Sequence, residues 1–173
     1  MSKRRNRERG FSLIELLIVI AIILILVAIA IPSFSKIMIN GRETSAIGSI
    51  RAINNAEIMY QQSYPAQGYA CTLSSLGSPA GATAGPNASG LITDTQLLNG
   101  TKDGYTFTIT CNRAQGQGGG DSASQNATAT SYLIVASPVQ PGKTGNRYFC
   151  SDQPGSIHYS MSAQCNPESD PTT

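Results

Sequence analysis

The hydrophobic pattern of the chain is dominated by one long apolar run near the N-terminus. Between Phe11 and Ile31, only Ser12 and Glu15 are polar. As a helix, this run would be roughly 31 Å long at ~1.5 Å per residue, about the thickness of a bilayer's hydrocarbon core. The pattern therefore predicts a membrane span over residues 11–31. Glu15 then needs a partner, because an acidic side chain in hydrocarbon costs about 2.5–3.5 kcal/mol.

Two other interpretations of this run are open. A secretory signal peptide has an apolar core of only about 7–15 residues and a small-residue cleavage site, and Pro32-Ser33-Phe34 does not fit such a site. An ordinary single-span anchor fits the length but leaves Glu15 unexplained. Five basic residues precede the run and, by the positive-inside bias, predict a cytoplasmic N-terminus. They are Lys3, Arg4, Arg5, Arg7 and Arg9.

A weaker helical periodicity follows the apolar run. Six residues plot onto an arc of roughly 160° at ~100° per residue: Ala46, Ile47, Ile50, Ile53, Ile58 and Tyr60. Asn54 and Glu57 interrupt this arc. We expect a proline kink near residues 28–32 and a helix end near residues 62–63, before Pro65. One face of the second half is predicted to pack on a globular head, with the first half projecting as an apolar stalk.

Alternation with period two predicts strands in the second half of the chain. The predicted strands are Tyr105–Cys111, Thr130–Ala136, Asn146–Ser151 and Ser156–Met161, and the last two are joined by a Pro-Gly turn at residues 152–155. They form an antiparallel meander over residues 105–161. Together with the long helix, the meander predicts an α+β fold.

The segments around these strands are rich in Gly, Ala, Ser, Thr and Pro. Residues 65–104 are predicted to be a loop region with short helical turns at Leu73–Leu76 and Thr93–Leu98. Residues 77–90 and 115–124 are predicted to be loops on composition alone. The polar tail from Asn166 to Thr173 is predicted to be frayed.

The charge balance changes when the N-terminal ten residues are set aside. The whole chain has 12 basic and 10 acidic side chains, and residues 1–10 contain five of the former and one of the latter. The remainder therefore has seven basic and nine acidic side chains, a formal charge of −2. This composition indicates no basic footprint for nucleic acid.

The N-terminal string Gly10-Phe11-Ser12-Leu13-Ile14-Glu15, with the basic leader before it and Pro32 after the apolar run, resembles a type IV prepilin, the precursor of a pilus subunit. The resemblance implies that a prepilin peptidase cleaves between Gly10 and Phe11 and then methylates the Phe11 amine. It further implies that Phe11, Glu15 and Pro32 act in assembly. The Glu15 carboxylate would meet the Phe11 ammonium of a neighbouring subunit, since a paired charge costs less in hydrocarbon than a lone one.

The resemblance also implies an organisation and a set of partners. Residues 1–10 would be a removable leader, residues 11–64 a long helix and residues 65–173 a head, and residues 141–159 are similar to the final hairpin of many pilins. The implied partners are other copies of the chain in a helical polymer, the inner membrane, prepilin peptidase, an assembly platform with its ATPases, and minor pilins. The subunit would lie in the inner membrane before assembly and in an extracellular pilus afterwards.

Four cysteines lie beyond the apolar run: Cys71, Cys111, Cys150 and Cys165. An even number outside the cytoplasm predicts two disulfides, with three possible pairings. Cys150–Cys165 is favoured because it closes a short loop and is similar to the C-terminal disulfide loop of many pilins. Cys71–Cys111 would then remain. A metal site is the alternative, but the chain has no Cys-x-x-Cys and His158 is its only histidine.

The sequence offers little catalytic chemistry. His158 is the only candidate general base near neutral pH, and we interpret it as a surface or half-buried strand histidine. Asn87, Asn99 and Asn126 head glycosylation sequons, which chance alone explains in a chain rich in Ser and Thr. We therefore predict no enzyme, no cofactor and no metal. The expected function is a structural pilus subunit serving adhesion, twitching motility or DNA uptake.

Three alternatives to this function remain at this point. In the same broad class, the chain could be a minor pilin or a type II secretion pseudopilin, which primes or pushes rather than forming most of the fibre. In a different class, it could be a membrane-tethered ectodomain that binds a ligand and never polymerises. The tethered form would keep residues 1–10 attached.

Overall fold

The computed structural model describes residues 11–78, 84–113, 128–153, 155–163 and 165–173, and for residues 30–33 it describes the backbone alone. These residues form one long helix, two single-turn helices and a five-stranded sheet. The predicted α+β class is therefore confirmed. The chain divides into two compact units, Met1–Met38 and Ile39–Thr173.

Helix α1 spans Leu13–Ser63. Its first turn is closed by the carbonyl of Ser12, which accepts hydrogen bonds from the amides of Glu15 at 3.1 Å and Leu16 at 3.2 Å. The helix ends one residue before Tyr64-Pro65, as predicted, because a proline disfavours helical backbone in the residue before it.

A bend interrupts α1 between Leu13–Ile29 and Phe34–Ser63. Pro32 lies inside this break, and a proline within a helix removes a backbone hydrogen bond and crowds the carbonyl of the preceding turn. The bend thus lies where the proline predicts a kink.

The half of α1 that belongs to the second unit buries one face. The buried apolar residues on that face are Ala46, Ile50, Ile53, Ala56 and Tyr60. The prediction that Ile58 joins them is wrong, because Ile58 is 44% exposed while Glu57 is fully buried in its place. Glu57 continues the spacing of Ile50 and Ile53 and receives a hydrogen bond inside the head, so its neighbour turns outward.

The sheet is an antiparallel meander with strands in chain order. Its strands are β1 Thr101–Lys102, β2 Tyr105–Arg113, β3 Ala129–Pro138, β4 Tyr148–Asp152 and β5 Ile157–Ser160. The four predicted strands are present, with ends shifted by up to two residues. Strand β1 was missed, although the Asp103-Gly104 turn that joins it to β2 is a strong hairpin signal. Both residues have positive φ, 48° and 81°, as a type I′ turn requires.

Two single-turn helices precede the sheet. Helix α2 spans Leu73–Leu76, as predicted, and α3 spans Thr95–Leu98. Helix α3 starts two residues later than expected because the Asp94 side chain caps it, accepting from the amides of Gln96 and Leu97. The predicted loop at residues 115–124 lies outside the described residues, and residues 77–90 are described in part.

The core lies between α1 and the inner face of the sheet. Its largest fully buried side chains are Tyr105, Phe149, Ile50, Ile53, Leu76, Leu97 and Ile134. Each such side chain stabilises the fold by about 1.5–3 kcal/mol relative to leaving it in water. The core thus joins the sheet, both short helices and the second half of α1 into one head.

The C-terminal tail pairs with β5, so the prediction of a frayed tail is wrong. The amide of Tyr159 donates to the Pro171 carbonyl at 3.0 Å, and the amide of Thr173 donates to the Ile157 carbonyl at 2.9 Å. The tail starts at Cys165, which is bonded to Cys150 on β4. This link keeps the tail beside the edge of β5, where unpaired backbone groups are free to bind it.

Candidate functional site: the N-terminal apolar helix

An aromatic residue and an acid are exposed at the start of α1. Phe11 is 80% exposed, and Glu15 is exposed in the first turn of the helix. An acid there is favoured by the helix dipole. The ion pairs found among the described residues are Lys102–Asp94 and Arg147–Glu43, so Glu15 has no cationic partner within that part of the chain.

The first half of α1 is apolar on every side. Five consecutive residues, Leu16 to Ile20, are each between 46% and 59% exposed. Because successive residues are ~100° apart, these five cover the whole circumference of the helix. A helix that is apolar all round is stable when protein or lipid covers it. The described chain supplies no such cover.

Length and composition identify one candidate membrane span in α1, and it consists of two parts. Within the described residues, no single helix is long and apolar enough to cross a bilayer. Taken together across the bend, Leu13–Ile29 and Phe34–Ser63 meet the requirement by length and composition. The N-terminal helix is therefore consistent with a membrane span.

Comparison with known proteins finds a family that matches this segment and a relative that matches part of the chain. Residues 5–31 match the family described as the prokaryotic N-terminal methylation motif. The chain is also 46% identical over 57 residues to the type IV major pilin protein PilA of Myxococcus xanthus. The chain is therefore similar to type IV pilins over part of its length. The pilin match spans 33% of this chain and 26% of the length of that relative. No solved structure matches the chain.

The predicted pilin residues are placed only in part. Phe11 and Glu15 lie at the same end of α1, one turn apart, with Ser12 between them. Gly10 lies outside the described residues, and for Pro32 only the backbone is described. Cleavage after Gly10, methylation of Phe11 and the assembly roles of Phe11, Glu15 and Pro32 therefore stay predictions.

Both predicted disulfides of the head are present. Cys71–Cys111 joins the loop after α1 to β2, and Cys150–Cys165 joins β4 to the tail. The sulfurs of Cys150 and Cys165 and the carboxylate of Asp170 lie within 4.8 Å of one another. Because the two sulfurs are bonded to each other, they are not metal ligands in this state. The disulfide interpretation of the cysteines is confirmed.

Glu43, which the sequence analysis did not single out, joins α1 to the two residues that precede β4. Its side chain is 3% exposed, and Oε2 accepts a charge-assisted hydrogen bond from Arg147 Nε at 2.7 Å. Oε1 accepts from the amides of Asn146 at 2.8 Å and Arg147 at 3.3 Å. The guanidinium carbon of Arg147 also lies 5.5 Å from the Phe149 ring centre. Glu43 precedes Ala46 by three residues, so its place on the buried face was readable from spacing.

A second buried acid, Glu57, forms no ion pair within the described residues. Its Oε2 accepts from the Ala70 amide at 2.7 Å, and its Oε1 has no hydrogen-bond partner in the described part of the head. Burial raises the pKa of Glu57 to about 8, and the hydrogen bond from Ala70 lowers it in part. This carboxyl is therefore mostly protonated at neutral pH.

Asn54 connects α1 to β3 and β4. Its Nδ2 donates to Ser151 Oγ at 2.8 Å, and its Oδ1 accepts from Tyr132 Oη at 3.0 Å. Ser151 Oγ then donates to the Ser156 carbonyl at 2.8 Å. The network pairs the buried side-chain atoms of Asn54, which explains why a polar residue lies on the core face of the helix.

The paired or exposed positions of the histidine, of the tyrosines near the end of α1 and of the sequon asparagines fit structural roles. His158 is half-buried on β5, as predicted, and its Nδ1 lies 2.7 Å from the Asp170 carbonyl oxygen. Tyr60 stacks with Tyr64 at 5.0 Å between ring centres, whereas Tyr69 pairs with Tyr132. Of the three sequon residues, Asn87 and Asn99 are exposed and Asn126 lies outside the described residues.

Proposed function

We propose that the chain is a structural subunit of a type IV pilus that polymerises through the first half of α1. The observation that carries the proposal is the all-round apolar surface of this half, which lies largely within the match to the N-terminal methylation motif. Apolar helices of this kind are stable in lipid or against one another. A subunit that moves from the inner membrane into a fibre uses both environments in turn.

The position of Glu15 supports a role in assembly. It lies among exposed apolar residues and, in the described part of the chain, has no cationic partner. Cleavage after Gly10 would create an ammonium group on Phe11, one turn away from Glu15. In the proposed fibre, each Glu15 pairs with the Phe11 ammonium of a neighbouring subunit, and this pair fixes the axial register. The expected partners are prepilin peptidase, minor pilins and an assembly platform with its ATPases.

Intact-mass analysis of the mature protein tests the processing. The expected mass lacks residues 1–10 and includes one added methyl group on Phe11. A Gly10→Val variant should keep the full-length mass, because the peptidase must fit the backbone at the scissile bond, and the precursor should collect in the inner membrane. Normal-length mature protein from Gly10→Val would contradict the assignment of the cleavage site.

Filament analysis separates this function from its alternatives. As a major subunit, the chain should be the most abundant protein in sheared surface filaments. Its presence only in traces would favour a minor pilin or secretion pseudopilin. An unprocessed N-terminus with no filaments would favour a membrane-tethered binding ectodomain. Adhesion, twitching motility and DNA uptake are the expected uses of the fibre, and each is tested by its loss in a strain without the subunit.

A further inference from the structure

The head contains an open cavity of about 410 Å³ between α1 and the segment that carries α3 and β1. On the α1 side it is lined by four small residues, Ser45, Gly48, Ser49 and Ala52. Leu91, Ile92, Thr93, Asp94, Leu97 and Lys102 line the other side. Small-molecule sites typically have volumes of about 300–1,000 Å³, so the cavity is large enough for a small guest.

Gly48 leaves the helix side of this cavity open. Glycine destabilises a helix interior relative to alanine. An added Cβ at Gly48 would meet no atom within 4 Å, so packing within the described head does not require a glycine there. The residue instead lets a guest approach the helix backbone closely.

Ser49 is an independent indication of a guest. The residue lines the cavity and is only 3% exposed, yet its hydroxyl has no hydrogen-bond partner in the described part of the chain. A buried hydroxyl without a partner is unfavourable, and such groups are rare in native structures. A guest with polar groups would supply the missing hydrogen bond.

The charges at the cavity cancel. Lys102 Nζ lies 2.8 Å from Asp94 Oδ2, while Asp94 Oδ1 accepts from the amides that begin α3. Neither charge is left free to select an ion of the opposite sign. Ser45 Oγ already donates to Asp103 Oδ2, so it can only accept from a guest. Together with the hydroxyls of Ser49 and Thr93 and the aliphatic side chains of the opposite side, it matches a molecule that has both hydroxyl groups and C–H surfaces.

We propose that this cavity binds a neutral polyhydroxylated molecule of about monosaccharide size, with Ser49 as a hydrogen-bonding residue and Gly48 as the opening to the helix backbone. The proposal goes beyond filament formation and does not depend on it. All the lining residues belong to one compact unit, Ile39–Thr173.

The test is a titration of the full-length protein with neutral monosaccharides, followed by saturation-transfer NMR. The probes are glucose, galactose and N-acetylglucosamine, and the protein is held in phosphocholine micelles because alkyl-glycoside detergents would compete. We expect a saturable signal from at least one probe. Ser49→Ala should weaken its binding about 2- to 10-fold, the range that the loss of one hydrogen bond gives.

Gly48→Leu should abolish binding by filling the cavity, and Gly41→Leu is its matched control. Gly41 is also an exposed glycine of α1 with no atom within 4 Å of an added Cβ, but it does not line the cavity. Both variants should fold, since leucine favours helix over glycine. Ala52→Leu, from the same wall, is a second cavity-filling variant should Gly48→Leu lose its fold.

Three results would overturn the proposal. The first is no saturable signal from any probe with the parent protein. The second is equal binding by Gly48→Leu, Ala52→Leu and Gly41→Leu, which would place the sugar elsewhere. The third is glucuronate or glucosamine binding more tightly than glucose, because the paired charges of Asp94 and Lys102 predict no preference for a charged ligand.

Discussion

Helix α1 carries three glutamates, and their exposure and partners differ between the two halves of the helix. In the first half, Glu15 is exposed among apolar residues and has no cationic partner in the described chain. In the second half, Glu43 and Glu57 are both buried inside the head. Glu43 is paired with Arg147, whereas Glu57 is bonded, among the described residues, by one backbone amide.

The comparison shows three ways to accommodate a carboxyl group in apolar surroundings. The head supplies Glu43 with a cation and two amides, which offset the cost of desolvation. Glu57 receives one amide hydrogen bond in the described head and pairs with no cation there. Its raised pKa lets the carboxyl take up a proton instead. Glu15 has no cationic partner within the described chain, so on our proposal the partner comes from a second subunit.

The largest expected effect is the pH dependence caused by Glu57. Its pKa rises from 4.5 to about 8 on folding, so between these values the folded state binds more protons than the unfolded state. Stability is therefore fully present below about pH 4.5, falls as pH rises, and reaches its lower limit above about pH 8. At ~1.36 kcal/mol per pKa unit, the loss is at most roughly 5 kcal/mol.

Denaturant unfolding of the parent and of Glu57→Gln at several pH values between 4 and 9 measures this effect. The variant keeps an acceptor for the Ala70 amide but cannot ionise, so its stability should match the parent at low pH and exceed it at high pH. Glu168→Gln, at an exposed acid of the tail, is the control and should follow the parent. Parallel curves for the parent and Glu57→Gln would contradict the assignment.

A smaller loss is expected when the Glu43 pair is broken. Glu43→Ala leaves the Arg147 guanidinium and the amides of Asn146 and Arg147 without their acceptor. Because the Arg147 side chain is one third exposed, water partly replaces the partner, and we expect a destabilisation of about 3 kcal/mol, the low end for a buried pair. Arg147→Met should cost less than Arg147→Ala, since it keeps apolar contact with Phe149. Equal stability of Glu43→Ala and the parent would show that the pair contributes nothing.

The smallest expected effect on the unfolding free energy is that of a substitution on the exposed face of α1, next to the buried face. Ile58→Ala should change the unfolding free energy of the monomer by less than about 0.5 kcal/mol, because Ile58 is exposed. Ile53→Ala, the matched buried position, should cost about 2–5 kcal/mol through the lost contacts and the cavity left behind. Thermal unfolding in detergent compares the two directly. Similar losses would mean that Ile58 belongs to the core after all.

Local patterns predicted much of this fold. The apolar run, the Tyr64-Pro65 stop and the period-two alternation gave α1 and four strands, since each depends on residues close in sequence. The Asp103-Gly104 pair carried the signal for β1 as well. In the candidate site, the ordered motif from Gly10 to Glu15 lies within the segment that matches the N-terminal methylation motif.

The buried polar network and the paired tail, in contrast to β1 and the position of Glu43, depend on residues that are distant in sequence. Asn54 and Glu57 interrupt the apolar arc, and nothing near them shows that Ser151, Tyr132 and the Ala70 amide will bond them. The tail similarly reads as frayed because its polar composition does not show the edge of β5 that binds it. Partners of this kind arise only when the whole head folds.

The most direct test of the central claim is the filament yield of Glu15→Ala, measured beside the amount of cleaved monomer in the membrane. We predict normal insertion and cleavage but few filaments. Each subunit would bury an ammonium without a carboxylate, and breaking a buried pair costs about 3–5 kcal/mol per site. Ser12→Ala, in the same turn, is the matched control and should assemble, and Glu15→Asp should be intermediate because its reach is shorter. Normal filament yield from Glu15→Ala would contradict the claim that a neighbouring subunit supplies the partner of Glu15.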